Sequence, residues 1–378
     1  MLTVRNANVT GKKVLYRADY NLPVGKDGEP SDDARILATV PTIEWLLRHK
    51  VAQIIIISHW GRPTKPSVQW QLAPVARRIA DILKAKKMVS GGKIMTKEVG
   101  NAVSPVLARR YYIGRSITLL ENLRFDTGEE KNSAHLASIL ADEADLYVND
   151  AFASSHRAHA SIVAITKKLP SYAGLLLAHE VQELKPLLDG QEKPFIVLIG
   201  GSKIADKIPI INHFRQFADT ILIGGKTAID YYQAMTEPVD KLVFPTDGID
   251  AKGRIISFDK DTIKKNPPLD IGPDTIMRFK AILKKAKTLF WNGSLGKAEE
   301  KKYCHGTYEI ARFTANLRAT TIVSGGDTAM AIDKLELRDR FSFISTGGGA
   351  ASEFVIGKKL PGLIALEENA VVKQKTSK

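Results

Sequence analysis

Residues 195–201 read FIVLIGG, five apolar residues followed directly by a pair of glycines. A continuous apolar run of this length is typical of a parallel β-strand that helices cover on both faces. The same pattern, an apolar run followed by a polar or glycine-rich turn, recurs along the chain. It predicts ten strands: 14–21, 53–58, 117–123, 146–150, 195–201, 220–225, 241–245, 288–293, 320–326 and 341–346.

Amphipathic helical patterns lie between these runs. In residues 33–49, for example, Ile36, Val40 and Ile43 recur on one face, and Pro41 is expected to kink or split the helix. Repeated strand–helix alternation predicts an α/β protein with doubly wound, Rossmann-like parallel sheets. A length of 378 residues exceeds what one hydrophobic core usually organises, so we expect two domains. Residues 173–189 (AGLLLAHEVQELKPLLD) are interpreted as a helix that joins them.

The chain is basic, with 55 lysines and arginines against 41 acidic residues and a net charge of +14. A concentrated basic stripe would favour nucleic-acid binding, but these charges are spread along the chain with no run of five or six. A solvated basic surface and a funnel for a small polyanion are the other two interpretations. Composition alone leaves all three open.

Composition also bears on location. No purely aliphatic run is longer than four residues, as in residues 54–57, which is far shorter than the ~20 residues that a membrane helix needs. The single cysteine, Cys304, excludes an internal disulfide and fits a reducing compartment. We therefore expect a cytoplasmic protein without a membrane partner.

The turns after the strands are the expected location of function, because ligands of open α/β sheets bind outside the carboxyl ends of the strands. The glycine turns at 200–201, 325–326 and 347–349 each precede a helical pattern, so each could bind phosphate through backbone N–H groups or simply relieve a tight turn. Neither a GxGxxG fingerprint nor a complete Walker A motif is present. Asp327 is a candidate Mg²⁺ ligand or, alternatively, a helix N-cap.

Basic side chains follow several strands of the first half. Arginine binds phosphate and carboxylate groups through two parallel hydrogen bonds, so a set of arginines at one sheet edge predicts an anion site. The histidines nearby are interpreted as hydrogen-bonding residues rather than metal ligands, because no acidic or cysteine partner has ligand spacing. The residues concerned are Arg35, Arg62, Arg124, Arg157, His59, His156 and His159.

The sequence shows no GxSxG nucleophile motif and no HExxH metal motif. A reaction that needs neither relies on positioning and charge, as phosphoryl transfer does. If the acceptor is a carboxylate, with a pKa of ~4, it is ionised at neutral pH and needs no general base.

Nine segments together resemble the phosphoglycerate kinase family, in that family's order and over roughly residues 3–366. They are VLYRADYNLPV (14–24), SHWGRP (58–63), LLENLRF (119–125), YVNDAFASSHRAHAS (147–161), GGSKIADK (200–207), LDIGPDT (269–275), FWNGSLG (290–296), SGGDT (324–328) and STGGGAASE (345–353).

The resemblance implies a glycolytic phosphotransferase that moves a phosphoryl group reversibly from 1,3-bisphosphoglycerate to ADP, giving 3-phosphoglycerate and ATP. It implies a 3-phosphoglycerate domain at 1–172, to which a tail at 365–378 returns, and a nucleotide domain at 190–364. It further implies Mg²⁺ with the nucleotide, hinge closure of the domains, a monomer, and no specific nucleic-acid partner.

The resemblance also implies the roles of individual residues. Arg35, Lys203 and Lys207 match catalytic positions, and Arg35 matches the arginine that stabilises the transferring phosphoryl group. Asp327 matches the Mg²⁺ position and Gly347, Gly348 and Gly349 an anion turn. The acid-site residues are Asp19, Asn21, Arg35, His59, Arg62, Arg124 and Arg157; the nucleotide-site residues are Lys203, Lys207, Glu299, Gly325, Gly326, Asp327 and Thr328.

The chain departs from the family pattern mainly around the nucleoside. Lys226 replaces a glycine, Ser294 replaces a proline, Lys297 and Ala298 replace an aliphatic–Phe pair, and Trp60 replaces a smaller residue elsewhere. Two alternatives therefore stay open: a kinase for another acidic metabolite or nucleotide, and a nucleic-acid-binding protein that uses the charge of +14.

Overall fold

The computed structural model describes residues 1–89, 94–237 and 239–376. Their contacts divide the chain into two compact units. Unit 1 comprises Met1–Val181 together with Lys359–Lys378, and unit 2 comprises Gln182–Lys358.

Unit 1 contains a seven-stranded sheet in the order β3-β4-β5-β2-β1-β6-β7. Strand β1 lies inside the sheet, next to the central strand β2, and pairs in parallel with both β2 and β6. Only β4 runs antiparallel to its two neighbours, β3 and β5. The strands are β1 (Lys13–Arg17), β2 (Gln53–Ile57), β3 (Met95–Glu98), β4 (Arg109–Ile113), β5 (Ile117–Leu120), β6 (Leu146–Asn149) and β7 (Ser171–Ala173), and the helices begin with α1 (Ala34–Arg48), α2 (Ala73–Ala85), α3 (Ala134–Ala141) and α4 (Leu175–Leu184).

Both faces of the sheet are buried at β1, β2, β5 and β6, as the continuous apolar runs predicted, whereas the edge strand β3 is exposed. Successive residues of a strand point to opposite faces, and two separate hydrophobic clusters receive them. Tyr16 and Ile56 belong to one cluster, whereas Leu15 and Ile55 belong to the other.

Unit 2 contains a six-stranded parallel sheet in the order β10-β9-β8-β14-β15-β16 and a small antiparallel sheet in the order β12-β11-β13. Strand β14 pairs with β8 and β15. The elements are α5 (Pro186–Asp189), β8 (Phe195–Ile199), α6 (Ile204–Phe214), β9 (Thr220–Ile223), α7 (Gly225–Ala234), β10 (Leu242–Val243), β11 (Asp247–Ile249), β12 (Ile255–Ser257), α8 (Lys260–Lys265), β13 (Asp270–Ile271), α9 (Pro273–Leu283), β14 (Thr288–Asn292), α10 (His305–Thr314), β15 (Thr320–Ser324), α11 (Gly326–Lys334), β16 (Phe343–Ile344) and α12 (Gly349–Phe354).

The predicted α/β class with parallel sheets is confirmed, and all ten predicted strands are present. Each strand ends before its predicted bound, because the polar and glycine residues after the apolar run form the turn rather than the ladder.

Pro41 was expected to kink or split the helix, and the split is contradicted, since Ala34–Arg48 is a single helix that contains Pro41. Proline removes the hydrogen bond to the carbonyl of Leu37. Both Pro41 and Leu37 are exposed, so water can reach this carbonyl and the helix continues.

The prediction of one helix over residues 173–189 was also wrong. Ala173 ends β7, α4 covers Leu175–Leu184, and a separate short helix covers Pro186–Asp189. Pro186 cannot continue the ladder of α4, but proline suits the first position of a new helix.

Helix α13 (Pro361–Thr376) packs on unit 1 through its own hydrogen bonds. Asn369 accepts from the backbone N–H of Ser171 at 2.9 Å and donates to the carbonyl of Thr166 at 2.6 Å. The N–H of Gly362 donates to the carbonyl of Ser155 at 2.9 Å. No helix among the described residues is long and apolar enough to cross a membrane.

The start of α4 is held by a buried carboxylate. Asp150 accepts from the hydroxyls of Tyr16 and Thr42 at 2.7 and 2.5 Å, and from the N–H of Leu177 at 2.9 Å. A Cβ on Gly174 would lie 2.2 Å from this carboxyl, so glycine is required there. Burial raises the pKa of Asp150 from 3.8 to about 6, against the opposing effect of its hydrogen bonds.

We expect this carboxyl to make the stability of unit 1 depend on pH. Because the folded state holds the proton more tightly, the contribution of Asp150 is fully present below pH 3.8 and is lost as pH rises through about 6. The shift corresponds to about 3 kcal/mol. Urea unfolding followed by tryptophan fluorescence should show the stability of wild type, relative to Asp150→Asn, falling by about that amount between pH 4 and 7.5.

Asp142→Asn, which removes an exposed carboxyl at the end of α3, serves as the matched control. A difference between wild type and Asp150→Asn that stays constant across this pH range would contradict the assignment.

Candidate functional site

The residues predicted for the acid site lie at the carboxyl edge of the sheet of unit 1. Because β1, β2 and β6 are parallel neighbours, the segments that follow them leave the sheet on the same side. Asp19 and Asn21 follow β1, His59 and Arg62 follow β2, Arg124 lies in the turn Leu123–Phe125 after β5, Arg157 follows β6, and Arg35 lies in the first turn of α1.

Asp19 connects three parts of this edge. Its carboxylate accepts from Arg35 Nη1 at 2.5 Å, from Ser154 Oγ at 2.7 Å and from the N–H of Asn21 at 3.2 Å. Burial by itself would raise the pKa of Asp19, but the guanidinium of Arg35, with smaller contributions from His59 and Arg17, holds it well below its usual range. Asp19 therefore stays ionised and orients Arg35.

Asn21 and Trp60 fix the turn after β2. The side-chain oxygen of Asn21 accepts from the N–H of Gly61 at 2.9 Å. Trp60 is fully buried, and its indole N–H donates to the carbonyl of Leu22 at 2.8 Å. The ring also contacts Trp70 edge-on, with centroids 5.6 Å apart. The departure at Trp60 therefore supplies packing beneath the turn that carries Arg62.

Arg124 has free hydrogen-bonding capacity. It is buried, and its Nε has no hydrogen-bond partner among the residues that the structure describes. One terminal nitrogen forms an ion pair with Glu130. Burial lowers the pKa of Arg124, Glu129 opposes this, and Arg157, Arg17 and Arg62 lower it further, so the guanidinium lies among like charges. A bound anion would relieve both the unpartnered donor and the repulsion.

Two histidines of this edge, His59 and His159, are neutral. Burial lowers the pKa of His59 to about 3, with Asp19 opposing and Arg17 adding to the decrease, and burial lowers that of His159 to about 3 as well. The described residues contain no group of three or more His, Cys, Asp or Glu side chains that could hold a metal ion. His156 accepts from Arg157 Nε at 3.1 Å, as expected for a hydrogen-bonding residue.

Two contributors to this edge were missed by the sequence analysis. Arg17, the last residue of β1, is 1% exposed, and Glu129 is fully buried. The sequence did carry a signal for Arg17, since it directly follows the apolar residues that begin at Val14. A strand inside a sheet cannot bury such a charge without partners. Glu129 offered no local signal.

Unit 2 places its glycine turns at the carboxyl edge of the six-stranded sheet. Gly200, Gly293 and Gly325 directly follow β8, β14 and β15, which are adjacent in the sheet. Gly293 has φ of 101°, and a Cβ there would lie 2.3 Å from the carbonyl oxygen of Gly200. The backbones of these turns therefore approach more closely than any side chain allows.

The two lysines of unit 2 occupy different environments. Lys203 is exposed and directly precedes α6, whereas Lys207 is half-buried one turn later, where its ammonium donates to the side-chain oxygen of Asn292. Burial lowers the pKa of Lys207, and Asp206 and Asp327 oppose this.

The turn at residues 325–328 begins α11. Gly325 is the N-cap residue and no side chain caps the helix, so Asp327, in the first turn, does not serve as the N-cap. Asp327 is exposed. Thr328 is buried and its hydroxyl accepts from the N–H of Gly293 at 3.0 Å, so it joins two turns of the edge.

A cavity of about 520 Å³ lies beside these turns in unit 2. Glu299 and Asp327 line it, as do the departures Lys226, Ser294 and Lys297. Lys226 bonds both carboxylate oxygens of Asp230, at 2.7 and 2.6 Å, and its side chain is 60% exposed. The ammonium of Lys226 is therefore held by Asp230, which also lines the cavity, and it remains open to solvent.

The third glycine turn, Gly347 to Gly349, follows β16 at the outer strand of the same sheet. The N–H of Gly347 donates to the hydroxyl of Ser345 at 3.0 Å. Of the described residues, neither these glycines nor Lys203 and Lys207 line the cavity.

Comparison with known proteins assigns the family. The family model described as phosphoglycerate kinase matches residues 4–264 and 235–358. The phosphoglycerate kinase of Coprothermobacter proteolyticus is 36% identical, with 96% of this chain and 98% of the relative covered. That of Rubrobacter xylanophilus is 38% identical, with 98% and 99% covered.

Solved structures agree. The phosphoglycerate kinase structure from Pyrococcus horikoshii matches with a TM-score of 0.82 at 26% identity, covering 98% of this chain and 99% of that one. The structure from Coxiella burnetii matches with a TM-score of 0.78 at 31% identity, over the same shares of the two chains. The chain therefore belongs to the phosphoglycerate kinase family and is a phosphotransferase.

Proposed function

We propose that the protein transfers a phosphoryl group reversibly from 1,3-bisphosphoglycerate to ADP, giving 3-phosphoglycerate and ATP. The observation that carries the proposal is the arginine cluster of unit 1. It holds a guanidinium with an unpartnered, buried Nε among further positive charges, as a site for a small polyanion requires.

The acid would bind at this edge through Asp19, Asn21, Arg35, His59, Arg62, Arg124 and Arg157. A phosphate and a carboxylate on one small molecule provide enough acceptor oxygens for several guanidinium groups. The protein need not supply a general base, because the acceptor carboxylate of 3-phosphoglycerate is already ionised at neutral pH. The neutral histidines, with pKa values of about 3, agree with this.

The nucleotide would bind in unit 2. The cavity lined by Glu299 has the size of a nucleoside site, and the backbone turn at Gly325 and Gly326 with the start of α11 offers N–H groups to phosphates. Lys203 and Lys207 would neutralise the phosphate chain. We assign the turn of Gly347 to Gly349 to the transferring group and Thr328 to support of the turn.

The residues present fit Mg²⁺ carried by the nucleotide. Such Mg²⁺ takes one or two protein carboxylates, and Asp327 is an exposed carboxylate at the lining of the cavity. When bound, Mg²⁺ would neutralise phosphate charge, and Asp327 would hold the cation.

Catalysis would rest on charge and position. Arg35 stays oriented by Asp19 and would stabilise the charge of the transferring phosphoryl group. Because the acid residues belong to unit 1 and the nucleotide residues to unit 2, transfer requires closure that brings the reacting atoms to ~3–3.5 Å and excludes water. Gly174, before α4, and Gly190, after α5, are the proposed hinge positions.

We further propose that the protein acts as a cytoplasmic monomer on free small molecules. The single cysteine and the absence of any run of five like charges support this over a role on nucleic acid.

A coupled assay tests the proposed function. With ATP, Mg²⁺ and 3-phosphoglycerate, the 1,3-bisphosphoglycerate formed is reduced by an added dehydrogenase and NADH consumption is followed. Other acids are tested by following the ADP formed from ATP, since their products are not 1,3-bisphosphoglycerate. We expect turnover with 3-phosphoglycerate and none with glycerate, which lacks the phosphate. Turnover with glycerate or another acid in preference to 3-phosphoglycerate would favour the alternative metabolite kinase.

Arg35→Ala should lower kcat much more than it raises KM for 3-phosphoglycerate. Interactions made mainly in the transition state appear in kcat, and an arginine on a transferring phosphoryl group can contribute ~10³-fold. Arg48→Ala is the matched control, because Arg48 lies at the other end of α1 and also pairs with a carboxylate, Glu44. A near-normal kcat with a raised KM would show that Arg35 only binds substrate.

Asp327→Asn should move the Mg²⁺ dependence of activity to at least about tenfold higher concentration. Thermal stability should change little, because the carboxylate is exposed and makes no N-cap bond. Asp333→Asn, on the same helix and paired with Arg338, controls for the loss of one charge. If activity depends on Mg²⁺ concentration in the same way in Asp327→Asn and in wild type, Asp327 does not hold the cation.

A further inference from the structure

Arg17 has no role in the proposed chemistry, yet it is one of the largest fully buried side chains of the protein. Its Nε donates to Ser161 Oγ at 2.9 Å and its Nη1 to the carbonyl of Ala18. Its Nη2 lies 3.3 Å from Nδ1 of His59. A buried guanidinium thus directly contacts a residue of the acid site.

The charge of Arg17 is balanced through a serine. Ser161 donates its hydroxyl to Glu129 Oε1 at 2.7 Å, and its backbone N–H donates to Oε2 at 3.0 Å. Glu129 is fully buried. The serine oxygen accepts a hydrogen bond from Arg17, and the serine hydroxyl donates one to Glu129. Both hydrogen bonds are therefore donated in the direction from Arg17 to Glu129.

The contact with His59 has only one possible direction. A guanidinium carries five N–H donors and no acceptor, so Nδ1 of His59 must accept from Arg17. A neutral imidazole that accepts at Nδ1 carries its proton on Nε2. We propose that Arg17 is a positioning residue that fixes His59 as the Nε2–H tautomer, with Glu129 and Ser161 holding Arg17 in place.

The surroundings of His59 keep the ring neutral. Its pKa is lowered to about 3, first by burial and then by Arg17, Arg124 and Arg35, with Asp19 opposing. His59 is 7% exposed. A neutral ring with its proton fixed on Nε2 donates a hydrogen bond there, so its partner at Nε2 must be an acceptor.

The inference deepens the proposed function and rests on it for the identity of the ligand. Among the arginines, His59 would donate one uncharged hydrogen bond to an anionic oxygen of the acid. The site would therefore require a hydrogen-bond acceptor at that position and would reject a group that can only donate, because two donors that face each other form no hydrogen bond.

Nitrogen-15 NMR of the imidazoles in the full-length free protein tests the tautomer without substrate. His59 is assigned by the signal lost in His59→Gln. We expect an unprotonated Nδ1 and a protonated Nε2 from pH 6 to 8. In Arg17→Gln, whose amide can donate or accept, we expect mixed tautomers and a ring that titrates at higher pH. A proton on Nδ1 in wild type, or unchanged His59 signals in Arg17→Gln, would overturn the proposal.

A second measurement keeps Arg17 intact, in case its replacement prevents folding. Glutamine places its amide nitrogen near the position of Nε2, whereas asparagine places it near Nδ1. The coupled assay should show a KM for 3-phosphoglycerate about ten- to a hundredfold higher in His59→Asn than in His59→Gln. Equal KM values in the two variants, or a higher value in His59→Gln, would overturn the proposal. Absence of any activity in wild type would instead reject the proposed function, and the NMR result would still decide the tautomer.

Discussion

Parallel pairing of an interior strand with its two neighbours is the constraint on which both candidate sites depend. In unit 1, β1 lies between β2 and β6, and three strand ends therefore present Asp19, His59 and Arg157 to one edge. In unit 2, β14 lies between β8 and β15, and three glycine turns meet in the same way. Because these strands are buried on both faces, packing fixes their register. The register in turn fixes the positions of the turns that follow the strands.

The edge of unit 1 must also tolerate a concentration of positive charge. Asp19 and Glu129 balance it from within the protein, and both are placed so that they orient basic groups rather than cover them. Within the described part of the chain Arg124 Nε has no hydrogen-bond partner, which leaves capacity for an anion. At the edge of unit 2 the backbones of the turns approach each other closely, which glycines permit. The hydroxyl of Thr328 joins two of these turns. Charge in one unit and exposed backbone donors in the other suit an acid and a nucleotide respectively.

Sequence reasoning predicted the strands and the class of fold because continuous apolar runs report burial on both faces directly. It failed where tertiary context decides. The helix at residues 173–189 is interrupted because Pro186 starts a new one, and the short antiparallel strands of unit 2 carry too few residues to show a period. Glu129 could not be predicted as a partner of Ser161, since 32 residues separate them in the chain and only the fold joins them. Arg17 was visible as a charge at the end of an apolar run, but its partners were not.

We propose that two substrates held by separate units meet through closure. Small-angle X-ray scattering of the free protein, of each binary complex and of the complex with both 3-phosphoglycerate and a non-hydrolysable ATP analogue with Mg²⁺ tests it most directly. We expect the radius of gyration to fall most when both ligands are present, because direct transfer needs the reacting atoms within ~3–3.5 Å. A ternary complex that scatters like the free protein, in a preparation that is active in the coupled assay, would contradict it.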